Sequence, residues 1–169
     1  MGAPEAPQPR LRRNLGRFSR AAPCTKVQYP FPYQGVSVRR VPEAPRFVAV
    51  VDDELPVRVA LGRLLRLADY QVAAYPSGEE FLAALNGCHP DCVILDVHMP
   101  GLSGLDVQAR LRARAIHPPA VFITASDDPA LDRSVSEAGG VRLLRKPFSS
   151  KELLDAVCEA LGIRARGAP

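Results

Sequence analysis

Residues 92–101 read CVILDVHMPG, and they carry the strongest structural signal in the sequence. Its first four residues form an apolar run of the length of a buried strand, which stops at Asp96, shortly before the turn residues Met99-Pro100-Gly101. A carboxylate at the end of a buried strand is costly to desolvate unless something there uses it. Asp96 is therefore the first candidate for a functional residue.

Two more apolar runs end at charged residues in the same way. Phe47–Val51 is followed by an acidic cluster, and Val141–Leu144 is followed closely by a lysine. The charged residues are Asp52, Asp53 and Glu54 after the first of these runs and Lys146 after the second. Carboxylates and an ammonium group at three strand ends suggest a phosphoryl site built around a metal.

Short apolar runs alternate with amphipathic stretches from Phe47 onward, which predicts repeated βα units and a parallel sheet. The predicted strands are Phe47–Val51, Val72–Tyr75, Cys92–Leu95, Ala120–Ile123 and Val141–Leu144. The predicted helices include Gly104–Ala113, Asp128–Ala138 and two that open at capping boxes beginning with Ser77 and Ser149. The pattern predicts a doubly wound α/β fold of five βα units.

The position of the site follows from the strand order. In doubly wound sheets, ligands bind outside the carboxyl ends of the strands, where the strand order reverses. With the flavodoxin-like order 2-1-3-4-5, this point lies between strands one and three. Asp52 and Asp53 would then face Asp96 across it.

Composition divides the chain into unequal parts. Of the 169 residues, the first 46 carry nine Arg/Lys and two Glu, a net charge of +7, whereas the rest carry a net charge of −3. Residues 1–45 hold eight prolines and no sustained apolar period, so we predict a Pro/Arg-rich disordered N-terminal extension. We predict a folded domain over 46–162 and a short flexible tail over 163–169.

The N-terminal extension has two functional interpretations besides disorder. Its arginines could contact nucleic acid or an acidic partner, and Tyr29-Pro30-Phe31-Pro32-Tyr33 could be an extended docking peptide.

The chain has no apolar stretch near the roughly 20 residues of a membrane span, and no signal-peptide core, so we expect a cytoplasmic protein. The scattered cysteines do not complete a zinc ligand set: Cys88 and Cys92 lack a second Cys/His pair.

The motifs at the strand ends resemble those of a response-regulator receiver domain, of the chemotaxis type and of the type found in helix-turn-helix regulators. The matching motifs are Val51-Asp52-Asp53-Glu54, Leu95-Asp96-Val97-His98-Met99-Pro100 with Gly104, Ile123-Thr124-Ala125 and Lys146-Pro147-Phe148. The resemblance extends from Phe47 to Leu161. Each motif alone is weak, but all four occur in order and each stands at a strand end.

The resemblance implies a role for each matching residue. Asp96 would accept a phosphoryl group from a sensor histidine kinase or a phosphotransfer protein. Thr124 and Lys146 would each bind a phosphoryl oxygen. Mg²⁺ would be held by Asp53, Asp96, the backbone carbonyl of His98 and, through water, Asp52. The resemblance also implies a cis bond before Pro147. For His98 itself, we expect a solvent-facing side chain next to the phosphoryl position, where it could tune hydrolysis.

Two departures from the family pattern affect the output. Receivers carry Tyr or Phe three residues before the lysine, where this chain has Leu143. We therefore expect signalling through the fourth helix and the Thr124–Ala125 loop, with changes in the amide NMR shifts across Asp127–Leu144 on phosphorylation.

Because little sequence follows Leu161, we expect a stand-alone regulator whose partner binds the face formed by helix four, strand five and helix five. It would be a monomer or a phosphorylation-dependent dimer.

The expected function is a two-component or phosphorelay switch that catalyses only its own phosphorylation and dephosphorylation. One alternative is a small phosphatase with an aspartyl nucleophile, although related hydrolases have a second Asp where this chain has His98. Another is a DNA-binding regulator that acts through the basic N-terminal segment, since the acidic domain would repel phosphates. Each candidate site residue, taken alone, also suits an ordinary structural position. Asp52 and Asp53 suit a helix start and Asp96 suits a turn. Thr124 suits a strand and Lys146 suits the surface.

Overall fold

A computed structural model describes residues 45–163 except Asn86 and Cys88. It contains one five-stranded parallel sheet with the order β2-β1-β3-β4-β5, so the predicted flavodoxin-like fold and strand order are confirmed. The strands are β1 (Phe47–Val51), β2 (Gln71–Tyr75), β3 (Cys92–Asp96), β4 (Ala120–Thr124) and β5 (Gly140–Arg145). The predicted extension over 1–45 lies outside the described residues apart from Pro45, as does the predicted tail apart from Ile163.

Five helices connect and follow the strands. They are α1 (Leu55–Leu67), α2 (Gly78–Ala84), α3 (Gly104–Ala113), α4 (Ala130–Glu137) and α5 (Ser150–Ala160). Helices α3 and α5 start with complete capping boxes at Ser103 and Ser149, in which side chain and backbone satisfy each other's orphan groups. At α2 the structure shows half of the predicted box, with Ser77 Oγ accepting the N–H of Glu80.

The helices cover the sheet on both faces and create two apolar clusters. One cluster includes Phe81, Leu111 and Phe122, and the other includes Leu65, Ile94 and Leu153. Strands β3 and β4 are buried over their whole length, as are four of the five residues of β1. Strands β2 and β5 are the partly exposed edges. The buried central strands explain why their sequences are continuous apolar runs.

The sequence-based boundaries differ from the structure mainly at α4. The predicted helix Asp128–Ala138 begins at Ala130, because Pro129 is the N-cap residue and the Asp128 side chain accepts the N–H of Ala130. Turn residues therefore occupy two positions that the periodicity assigned to the helix.

Among the described residues, none of the helices combines the length and the apolar character that a membrane span requires.

Candidate functional site

The carboxyl ends of β1, β3, β4 and β5 bring the predicted residues to one edge of the sheet. Val51 pairs with Leu95, so the residues that come next in each strand, Asp52 and Asp96, emerge side by side. Asp52 is fully buried, and only 4% of Asp96 is exposed. Two carboxylates are thus removed from water at the point where the strand order reverses, which is where a doubly wound sheet binds its ligand.

Lys146 provides the counter-charge for both carboxylates. Its Nζ donates to Asp96 Oδ2 at 2.7 Å, to Asp52 Oδ2 at 2.9 Å and to Glu54 Oε1 at 3.1 Å. These three acceptors use all three N–H donors of the ammonium group. Burial opposes the charge of Lys146, but the hydrogen bonds to Asp96 and Asp52 outweigh it and raise the lysine pKa above its ordinary value.

Asp52 is the carboxylate with the least access to water. Its burial raises its pKa above the ordinary value, and the hydrogen bonds from Lys146 and from the N–H of Glu54 offset only part of that effect. The direction of this pKa change indicates that the ammonium group offsets only part of the cost of burying the Asp52 carboxylate. A second cation at this position would therefore be stabilised.

Asp96 is held at both oxygens. Oδ1 accepts the backbone N–H of His98 at 3.0 Å, and Oδ2 accepts Lys146. Gly104 lies against the backbone of the same residue: a Cβ at position 104 would lie 2.3 Å from the carbonyl oxygen of Asp96. The start of α3 can therefore approach the site only because residue 104 has no side chain.

Thr124 is fully buried at the end of β4, and both sides of its hydroxyl are engaged. Oγ1 accepts the N–H of Ser126 at 3.1 Å and lies 3.2 Å from Nδ1 of His98. His98 is exposed as predicted, yet its ring is bound to Thr124. No motif or spacing in the sequence pointed to this contact.

The donor set suits a hard divalent cation. Carboxylate oxygens of Asp52, Glu54 and Asp96 lie within 4.8 Å of one another, and such oxygens are the ligands that Mg²⁺ prefers. Asp53, the predicted direct ligand, is exposed and lies outside this group, whereas Glu54 was not predicted and lies within it. Asp53 and Glu54 are neighbours in one acidic run, so the orientation of their side chains decides which of them joins the cluster. The roles of Asp53, of the His98 carbonyl and of Asp52 through water stay predictions.

The surroundings of Lys146 complete the site. The Lys146–Pro147 peptide bond is cis, as predicted. Leu143, at the position where the family pattern has an aromatic residue, is half-buried against one of the two core clusters. Arg145 pairs with Asp132 at 2.7 Å and so connects β5 to α4. Helix α4 has a single buried residue, Val135, which indicates that little packing holds it.

Comparison with known proteins agrees with this geometry. Residues 48–158 match the family model described as the response regulator receiver domain. The chain is 41% identical over 113 residues to Nodulation protein W of Bradyrhizobium diazoefficiens. The aligned region covers 67% of this chain and 50% of that protein. It is 38% identical to Transcriptional regulatory protein TdiR of Thauera aromatica, over 69% of this chain and 51% of that protein.

Solved structures show the same likeness. A response regulator receiver protein from Burkholderia phymatum is 45% identical with a TM-score of 0.63, over 72% of this chain and 98% of that one. Chemotaxis protein CheY4 of Vibrio cholerae is 28% identical with a TM-score of 0.66, over 70% of this chain and all of that one. The chain spans about half the length of the relatives named above.

Proposed function

The chain belongs to the response regulator receiver family, and from this premise we propose that Asp96 accepts a phosphoryl group and that the modification switches the binding of a partner protein. The observation that carries the proposal is the pair of buried carboxylates, Asp52 and Asp96, joined by the ammonium group of Lys146. A cluster that served stability alone would be a poor use of buried charge, because apolar residues of similar volume stabilise as well or better.

In the proposed reaction, a carboxylate oxygen of Asp96 attacks the phosphorus of a phosphohistidine. A P–O bond forms as the P–N bond breaks, and the leaving imidazole keeps the electron pair of that bond. The product is an acyl phosphate on Asp96. Lys146 already donates to Asp96 Oδ2 at 2.7 Å, so its charge is in position to stabilise the transferring oxygens. Thr124, at the end of the neighbouring strand, supplies a hydroxyl for another phosphoryl oxygen.

Mg²⁺ is the proposed cofactor. Asp52, Asp96 and Glu54 fit it as a group, and Asp53 and the carbonyl of His98 are the further ligands that the family pattern predicts. When bound, the ion would supply positive charge against the clustered carboxylates and the phosphoryl oxygens. The raised pKa of Asp52 is consistent with a site that a single lysine leaves short of positive charge.

The proposed partners are a sensor histidine kinase or a phosphotransfer protein as the donor, and a protein that binds the face of α4, β5 and α5. These elements carry the exposed Val141 of β5 (36% exposed) and two ion pairs from β5, Arg142 with Glu159 of α5 and Arg145 with Asp132 of α4. Both apolar and charged side chains are therefore available to a partner on these elements. Operation as a stand-alone, cytoplasmic regulator, as a monomer or phosphorylation-dependent dimer, stays a prediction.

The test is labelling of the purified protein by acetyl phosphate with Mg²⁺. Asp96→Asn should abolish the label, because the amide is not a competent nucleophile. Asp69→Asn is the matched control, since Asp69 is exposed, has a positive φ that Asn tolerates, and lies in the turn after α1. Undiminished labelling of Asp96→Asn would reject the proposal. Turnover of a generic phosphate ester by the unmodified protein would support the phosphatase alternative instead.

A further inference from the structure

The contact between His98 and Thr124 assigns the histidine side chain a role in the resting protein. His98 lies on the loop after β3 and Thr124 at the end of β4, and Nδ1 of the ring is 3.2 Å from Oγ1 of the hydroxyl. An exposed histidine gives up side-chain freedom when its ring is fixed in this way. The bond must therefore be favourable enough to offset that loss.

The hydroxyl of Thr124 has one proton to donate. Oγ1 already accepts the N–H of Ser126 at 3.1 Å, so the hydroxyl has its proton and one further lone pair left for the His98 ring. When the hydroxyl proton is directed at the ring, Nδ1 of His98 is the acceptor and Nε2 carries the ring proton. A phosphoryl oxygen on Asp96 would need the same hydroxyl proton, so the ring and the phosphoryl group cannot both receive it.

We propose that His98 is a positioning residue that holds the Thr124 hydroxyl in the unphosphorylated state and competes with the phosphoryl group for it. The inference rests on the proposed phosphorylation of Asp96 and adds to it an energetic restraint on the resting state. Phosphorylation has to break the bond between His98 and Thr124 before the hydroxyl can be used. The side chain of His98 thus lowers the affinity of the site for a phosphoryl group, while its backbone N–H still donates to Asp96.

Beryllofluoride, a phosphoryl analogue that binds without turnover, measures this competition at equilibrium. In the 169-residue chain with saturating Mg²⁺, His98→Ala should bind beryllofluoride about two- to tenfold more tightly, which is the range of one hydrogen bond. His98→Phe keeps a ring of similar size without a nitrogen, and it should tighten binding by the same factor. If the phenylalanine variant binds like the unmodified protein while the alanine variant binds more tightly, ring bulk is the cause and the proposal fails.

A double-mutant cycle separates the hydroxyl from other effects of the ring. Thr124→Val removes the hydroxyl from a strand position that valine suits, and in that background His98→Ala should leave the beryllofluoride affinity unchanged. Thr124→Ser restores a hydroxyl and should restore the effect. An equal effect of His98→Ala with and without the Thr124 hydroxyl would overturn the proposal.

A second readout uses the metal-free protein. The Nδ1 resonance of the His98 ring should move when Thr124 becomes valine, because Nδ1 is the ring atom that contacts the hydroxyl. An Nδ1 resonance that stays in place after the substitution would contradict the proposal. Failure of the proposed function looks different, because the unmodified protein would then bind no beryllofluoride, or would bind it equally well as Asp96→Asn.

Discussion

Replacing Lys146 with methionine removes the counter-charge of the site and keeps a side chain of similar length. The two carboxylates it contacts most closely are almost without solvent access, with 0% exposure of the Asp52 side chain and 6% of Asp96. Removing one partner of a buried ion pair typically costs 3–5 kcal/mol, because the remaining charge is left uncompensated. Since 15% of the Lys146 side chain is exposed, we take the lower end, about 3 kcal/mol.

The assay is urea unfolding of the metal-free protein at pH 7, with thermal unfolding as a check. A loss of about 3 kcal/mol corresponds to a fall in Tm of about 12 °C for a domain of this size. Lys151→Met is the matched control. Its side chain is 82% exposed and pairs with Asp155 on the surface of α5, so its loss should cost less than about 0.5 kcal/mol.

Two further measurements separate charge from packing. Adding Asp52→Asn to the Lys146→Met protein should recover part of the lost stability, because it removes one of the uncompensated carboxylates. Mg²⁺ should stabilise the Lys146→Met protein more than the unmodified one, because the cation replaces the missing charge. If Lys146→Met costs no more than Lys151→Met, or if Asp52→Asn makes it still less stable, the account of the site as a charge-compensated cluster is wrong.

Three other predictions concern the start of α3, the start of α5 and the switch. Gly104→Ala should lower the free energy of unfolding by about 3 kcal/mol, because the new Cβ would lie 2.3 Å from the carbonyl oxygen of Asp96. Gly62→Ala in α1, where the new Cβ meets only the flexible end of a side chain, should cost nothing in the same denaturation assay. Ser149→Ala should cost about 1 kcal/mol at pH 7 through the lost N-cap. Hydrogen bonds from the backbone and side chain of Ser149 lower the pKa of Glu152, so their contribution is present above the unfolded-state pKa and is lost as the pH falls through the folded one. The stability difference between Ser149→Ala and the unmodified protein should therefore shrink in acid, and a difference that grows below pH 4 would contradict the sign. Phosphorylation or beryllofluoride should shift amide NMR signals of α4 and β5, and identical spectra there would refute a switch through α4 without an aromatic residue.

The central strands were predictable because each is buried on both faces and therefore reads as an apolar run. Once the strand order was assumed, Asp52, Asp96 and Lys146 were expected at the same edge of the sheet, because the carboxyl ends of parallel strands share it. The structure shows them in contact, with hydrogen bonds from Lys146 to Asp52 and to Asp96. The first residue of α4 was less predictable. Asp128 and Pro129 continue the helical pattern in the sequence, but in the structure they precede the helix and cap its N-terminus.

What sequence reasoning missed depends on side-chain orientation. Glu54 and Asp53 are neighbours in one acidic run, and no periodicity says which of them turns toward Lys146; the structure selects Glu54. The contact of His98 with Thr124 joins residues 26 positions apart. The pairing of Asp96 with Ile123 brings the two strand ends together, but the direction of the histidine ring follows from the loop geometry.

The most direct test of the central claim is the intact mass of the protein after incubation with acetyl phosphate and Mg²⁺, followed by peptide mapping. The account predicts the mass of one added phosphoryl group, located on Asp96, absent from Asp96→Asn and retained by the Asp69→Asn control. A phosphoryl group on another residue, or an equal label on Asp96→Asn, would contradict it.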